Sequence, residues 1–381
     1  MYALTSRLWL DGGDLYGHIV VAQPPWQFFY GAGALAIHDS MTWLRFTVGL
    51  AQLGAGVLAA VAVRRLTDNP LAILAAPALT LLTPWAVREH GALTPELLAP
   101  PVLLGAALLA SKPKTALAAG ALASTAVFLK WPYALPVAAL VFFSAAPKKA
   151  IVGAAVAGVV QAAVFTAIFG WGLWDDSVIA QMASERRGFD ILRGVWGQAF
   201  WSLVGLVALA ALAWLHRERA KDQALLKVLA ALAVGMLLTL ASNTKDGTGL
   251  NVIVPIEAAL VPLALAGAAL HGRRLVPALL LAFTLVQSLS LITTPRTATP
   301  FLYPTSERGA WGIAGDERAV DQGLAQAAAC PADVAYSGPP YLAFLADRPM
   351  PDGQPDQFLP LHSKHLADVG DAINRVTARC P

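Results

Sequence analysis

Ten apolar runs separated by short polar connections dominate the chain, at roughly 46–63, 70–87, 96–111, 115–129, 131–146, 150–170, 197–215, 224–242, 252–270 and 275–293. In lipid the backbone must bond to itself, and a single segment can do so only as a helix. A crossing takes about 17–25 residues, so the pattern implies an all-α polytopic membrane bundle of about 10 transmembrane helices. The runs 115–129 and 131–146 fall near that floor and read as short spans or as one broken or re-entrant pair. Charged residues are 13% of the 381 residues, about half the ~25% of soluble domains, which excludes a soluble enzyme.

The connections fix an orientation. Taken alternately, one set carries Arg64 and Arg65; Lys112 and Lys114; Lys148 and Lys149; Arg217, Arg219 and Lys221; Arg273 and Arg274. The other set carries mixed charge: Arg88, Glu89 and Glu96; Lys130; Asp175 to Arg193; Lys245 and Asp246. The positive-inside rule places the first set in the cytoplasm and the second outside. A net charge of +3, spread over short clusters of this kind, does not make a nucleic-acid surface.

Three parts follow: an extracytoplasmic first loop with juxtamembrane helices over 1–45, the bundle over 46–293, and an extracytoplasmic C-terminal domain over 294–381. In the first part Met1–Leu10 suits an amphipathic helix, and Gly12-Gly13 breaks it. Trp26–Ile37 suits an interfacial helix, being too short to span. In the third, a strand over 333–337, a helix over 339–346 and helical spacing over 365–377 suggest a small α/β domain. Cys330 and Cys380 would lie in an oxidising compartment, where a disulfide forms readily; two separate thiols are the alternative.

Several residues stand out chemically. Glu96 follows Thr94-Pro95 at the outer start of a run. It is a candidate acid, although a capped helix N-terminus with an acid in its first turn needs no function. Lys130 lies between two apolar stretches, where a cation faces a cavity or an anion or else snorkels to the interface. Glu257 is an acid inside a run. Arg88 and His90 share an outer loop. Lys245 and Asn251 flank the polar turn Asp246-Gly247-Thr248-Gly249. Asp14 follows Gly12-Gly13 and reads as a turn residue or as an acid of a site. His362 and His365 have no companion ligands in the sequence that would make a metal site.

Three segments carry a family resemblance. Gly12-Gly13-Asp14-Leu15-Tyr16 followed by Gln23-Pro24-Pro25-Trp26 resembles the first outer loop of GT-C membrane glycosyltransferases, in particular the lipid A aminoarabinose transferases; protein O-mannosyltransferases share the class. Ala126-Val127-Phe128-Leu129-Lys130-Trp131-Pro132 resembles the family's Leu-x-x-Lys-Gly/Trp-Pro segment. Lys245 to Asn251 running into Pro255-Ile256-Glu257 resembles a late outer loop that opens a span. The resemblance implies an enzyme that takes a sugar from a polyprenyl-phosphate carrier at the outer face of the cytoplasmic membrane. The acceptor would be an envelope glycolipid, polysaccharide or protein. Such a reaction needs a carboxylate base and cations, or a divalent metal, to hold the phosphate. It implies Glu96 and Asp14 as catalytic candidates, and Tyr16, Gln23, Arg88, His90, Lys130, Lys245, Asn251 and Glu257 as substrate-binding candidates. No other cofactor is implied.

The chain departs from the family in two places. Alignment on Tyr16 and Pro24-Pro25 puts the family's first span and its catalytic Asp just before Met1. A start upstream of Met1, a shortened chain, or a base role taken by Asp14 or Glu96 would each account for this. Gln23 stands where the lipid A enzymes carry lysine. Two other classes fit the same sequence: a transporter or flippase for a lipid-linked sugar, and a non-catalytic envelope assembly protein.

Overall fold

The structure is a computed structural model that describes residues 1–89, 91–184, 186, 188–240, 250–272, 281, 285, 314–376, 379 and 380. The tenth apolar run, 275–293, falls outside them except at 281 and 285.

The first-loop expectations hold at the helix level: α1 is Tyr2–Leu10 and α2 is Trp26–Ile37. The bundle follows as α3 (Met41–Leu66), α4 (Pro70–Leu82), α5 (Pro84–Glu89), α6 (Pro95–Ala110), α7 (Ala116–Val127), α8 (Ala134–Phe142), α9 (Pro147–Phe169), α10 (Phe189–Leu215), α11 (Gln223–Leu238) and α12 (Ile253–Leu270). Local chemistry sets several starts. The Ser40 hydroxyl accepts from the Trp43 amide at 3.1 Å, and the Asn69 side chain accepts from Leu71 and Ala72. Asp222 accepts from the Leu225 amide at 2.8 Å. Proline, whose missing N–H costs nothing in a first turn, opens α4, α6 and α9.

Among the described residues, four helices have the length and apolarity to cross a bilayer: α3, α9, α10 over Leu192–Leu215, and α12. The other runs that lie within the described residues form shorter pieces. The run 70–87 breaks at Thr83 into α4 and α5. The runs 115–129 and 131–146 become the 12-residue α7 and the 9-residue α8, joined through Lys130 and a 3-10 turn at Trp131–Tyr133. At 1.5 Å per residue these two reach only about 18 and 14 Å, well short of a ~30 Å hydrocarbon core. The turn they carry is therefore sunk into the bundle.

One end of the bundle collects the basic connections. Arg65 pairs with Asp222 and donates to the Leu108 carbonyl and Ser111 hydroxyl. Lys221 pairs with Asp68 at 2.6 Å. The Ala145 amide donates to the Ala110 carbonyl at 2.8 Å. His216 and His271 share a 3.1 Å contact between ring nitrogens. The alternate connections thus meet at one end, as the charge pattern required.

At the opposite end the first loop is clamped by rings. Trp9, Tyr16 and Phe29 lie 5.6, 5.1 and 5.9 Å from Phe169 at the end of α9. Trp131 stacks on Trp174 at 5.6 Å. The Trp26 indole N–H donates to Gln161, which in turn donates to the Ser124 hydroxyl between α7 and α9.

The C-terminal residues form α13 (Ala314–Ala329), α14 (Pro340–Ala346), α15 (Phe358–His362) and α16 (Ala367–Arg375). Strands β1 (Ala335–Tyr336) and β2 (Arg379–Cys380) pair in parallel. The strand is shorter than the expected 333–337. Cys330 and Cys380 are joined, with Cα atoms 6.0 Å apart. This unit sits on the first loop. Arg7 donates to the Phe344 carbonyl at 2.9 Å with its guanidinium 3.6 Å above the Phe344 ring. Gln354 accepts from the Val20 amide and donates to the His18 carbonyl. Ser363 donates to the Ala180 carbonyl at 3.0 Å.

The short helical turn Gly172–Trp174 runs into a π-helix, Asp175–Ala180. Its Asp176 accepts from the Val21 amide at 3.0 Å, and Asp175 pairs with His365 at 2.9 Å. First loop, π-helix and C-terminal unit therefore meet at one junction. Burial pushes the Asp176 carboxyl up to about 7, with the Val21 amide and then His365 opposing and Asp175 adding to the rise.

Two substitutions test this architecture. A Cβ on Gly120 would lie 1.9 Å from the Ala150 carbonyl oxygen, and one on Gly153 2.0 Å from that of Leu117, so α7 and α9 touch backbone to backbone. Gly120→Ala and Gly153→Ala will each lower the melting temperature in detergent, at a cost of about 1–3 kcal/mol; Gly158→Ala, which meets open space, will not. The second test is pH. Between the ordinary carboxyl value and about 7 the docked junction keeps a proton that the released chain gives up, so docking tightens as pH falls through that window. Hydrogen exchange corrected for intrinsic rate will show Val21 more protected at pH 6 than at pH 8. Asp176→Asn will flatten that dependence.

Candidate active site

Helix α6 presents Glu96 in its first turn, at the end of the bundle away from the basic connections. Thr94 makes no capping side-chain bond, and its hydroxyl has no hydrogen-bond partner among the described residues. The capped N-terminus weighed from the sequence is thus not completed by Thr94. Glu96 is 1% exposed and Lys130 9%. The Lys130 ammonium bonds to Glu96 Oε1. Lys130 does not snorkel; it closes an internal ion pair between α6 and the α7–α8 turn. Removing one partner of a buried pair costs about 3–5 kcal/mol because it strands the other charge.

Aromatic hydroxyls surround the pair. The Tyr133 side chain is fully buried near Glu96 and Tyr2, and its hydroxyl has no hydrogen-bond partner among the described residues. The same holds for Glu96 Oε2. Tyr2, from α1, bonds to the Gln23 side chain and feels Glu96, Asp356 and Glu89. Burial, and then Glu96, raises the Tyr2 hydroxyl well above its ordinary range, so it stays a donor at physiological pH. Buried polar atoms in native proteins are nearly always bonded, so the Tyr133 hydroxyl and Glu96 Oε2 mark this cluster as unusual.

Tyr16 holds the loop closed above them. Its hydroxyl donates to the Gln23 carbonyl at 2.6 Å while its backbone sits at φ 66. A Cβ at Gly172 would lie 1.8 Å from the Tyr16 carbonyl oxygen, so only glycine lets that turn approach. A cleft of about 260 Å³ shares Tyr2 and Thr94 with this cluster and is lined also by Arg45, Tyr341 and Phe344. The Arg45 guanidinium lies 5.5 Å from the Tyr341 ring.

The remaining sequence candidates fall as follows. Asp14 is exposed, and its carbonyl accepts from the amides of Gly17, His18 and Ile19. It is placed in a turn and is not brought to the Glu96–Lys130 pair. Glu257 is fully buried on α12 and faces Thr83 with the backbone of Trp85 and Ala86, where α4 breaks into α5. It sits against backbone groups that a broken helix frees inside a membrane. Asn251 lies in the 3-10 turn Leu250–Val252, which packs on α5. The Arg88 side chain, His90 and Lys245 lie outside the described residues. Tyr2, Tyr133 and Asp356 were not singled out from the sequence. Tyr133 had a signal, standing three residues after Lys130 in one helical turn; Tyr2 and Asp356 had none.

A divalent metal does not fit the described residues. The carboxylate of the site is spent on an ammonium, and among the described residues no group of three His, Cys, Asp or Glu could hold an ion.

By sequence, no protein-family model matches the chain and no curated protein is found similar to it. By structure, it is similar to crystal structures of ArnT from Cupriavidus metallidurans. To the one bound to undecaprenyl phosphate it aligns with a TM-score of 0.62 at 15% identity, covering 99% of this chain and 84% of that one. To the apo structure it aligns with a TM-score of 0.61 at 14% identity, covering 92% and 79%. At such identity the likeness is one of fold alone: the helices are arranged as in those two structures.

Proposed function

We propose that the chain is an integral-membrane glycosyltransferase that takes a sugar from a polyprenyl-phosphate carrier and passes it to a cell-envelope acceptor. The supporting observation is the buried Glu96–Lys130 pair. It lies at the end opposite the basic connections, under a loop held by Tyr16 and Gln23, in a fold like that of ArnT bound to undecaprenyl phosphate. The positive-inside rule makes that end extracytoplasmic, in the cytoplasmic membrane.

The chemistry follows from the groups present. Lys130 is the cation that meets the donor phosphate, with the protonated Tyr2 and Tyr133 hydroxyls as hydrogen-bond donors. Phosphate binding draws Lys130 from Glu96 and frees the carboxylate. An acceptor hydroxyl or amine then attacks the anomeric carbon from the face opposite the phosphate. The carbon–oxygen bond to phosphate breaks, polyprenyl phosphate leaves with the bonding electrons, and Glu96 takes the acceptor's proton. The product has inverted configuration. The cleft lined by Arg45 and Tyr341 offers the acceptor a route to the pair.

Membranes carrying the chain will transfer labelled sugar from a polyprenyl-phosphate donor. Glu96→Gln and Lys130→Ala will each cut turnover by about 10²–10³-fold. Because single changes strand a charge, Glu96→Gln/Lys130→Met serves as the folded control: it will keep its melting temperature and lose transfer. Transfer unchanged in both single variants would sink the proposal. Donor binding and translocation without transfer would favour the flippase reading.

A further inference from the structure

The basic end of the bundle carries an apolar groove far from the Glu96–Lys130 pair. A groove of about 530 Å³ opens between α8, α10 and α11 over a floor of α12, with Ala139, Val207, Trp214, Val234 and Leu263 among its walls. Its lining is apolar except for one residue, Lys227. The ammonium of Lys227 lies 5.4 Å over the Phe143 ring at the end of α8. Phe143, Trp214 and Val234 are 48, 44 and 57% exposed, so the groove opens sideways, where a membrane protein meets lipid.

Charge decides what fits there. Nearby, Arg65 pairs with Asp222 and Lys221 with Asp68, while Arg217 lies 5.5 Å from the ring of Trp214 and donates to the Trp214 carbonyl. Lys227 has no carboxylate partner among the described residues. It is the fifth residue of α11, about 6 Å along the helix from the basic end, at the level where an interfacial Trp and Lys meet headgroups. From Lys227 the wall of α11 continues to Leu237, a further ~15 Å, enough for most of one acyl chain. A partner with a phosphate at one end and a hydrocarbon tail at the other satisfies both halves.

We propose that this groove binds an anionic phospholipid of the leaflet at the basic end, with one acyl chain along α11 and its phosphate against Lys227. The chain thereby holds a structural lipid at the end opposite its candidate active site.

Native mass spectrometry of the full chain, released from nanodiscs of equal phosphatidylglycerol and phosphatidylcholine, tests this. Phosphatidylglycerol adducts will dominate. Lys227→Ala will lower that preference about fivefold, the weight of one lysine at an anionic surface, and Lys227→Glu will reverse it. Lys221→Ala, whose partner is Asp68, will leave it unchanged, and inorganic phosphate will not compete. Equal retention of the two lipids overturns the proposal. So does a preference that survives Lys227→Ala, or cross-linking that shows a second copy of the chain seated in the groove.

Discussion

An ammonium and a carboxylate sealed inside an apolar bundle need each other. Glu96 and Lys130 meet where the α7–α8 turn reaches the first turn of α6, and little else at this end of the molecule makes sense without that contact. Charge of either sign alone would be untenable at that depth. The helices leading to Lys130 are too short to carry it to the outer surface, so the pair lies below the first loop and not on it. Tyr2 and Gln23, bonded to each other, then supply a polar contact that an apolar wall would lack.

The two ends of the bundle divide the labour. At one, basic side chains are spent on carboxylates, carbonyls and a hydroxyl, which ties the connections to one another. At the other, aromatic rings and the C-terminal unit fix a loop with little regular structure of its own. Gln354 and Ser363 reach across from the C-terminal unit to bond the backbone of that loop and the π-helix. Asp356 reaches the surroundings of Tyr2, so the C-terminal unit contributes to the environment of the site as well as covering it.

Some of the site was legible because burial of charge leaves a mark in sequence. Lys130 between apolar stretches and Glu96 at the head of one were readable for that reason, and the resemblance motifs pointed to the same turn. Glu257 was equally conspicuous, yet it meets the break between α4 and α5. Sequence cannot tell an acid that meets a buried ammonium from one that meets a broken helix, since both bear the same desolvation cost. Asp14 looked chemical beside Gly12-Gly13 and is placed as a turn. The spans were legible as apolar runs but not as lengths. Run 70–87 conceals a break, and α10 begins well before 197, because lipid-facing and core-facing residues are equally apolar.

What the sequence determined by itself was the helical class, the separation of a basic end from a mixed-charge end, and the residues that could not be buried alone. Those follow from local composition, which lipid and the membrane potential read segment by segment. Tertiary structure alone decided which buried charge meets which, that Tyr2 lies under the influence of both Glu96 and Asp356, and that the lysine of the groove at the basic end has no carboxylate partner among the described residues. Each of these joins residues far apart in the chain. Only packing, through close contacts such as Gly120 against Ala150, fixes the distance between them.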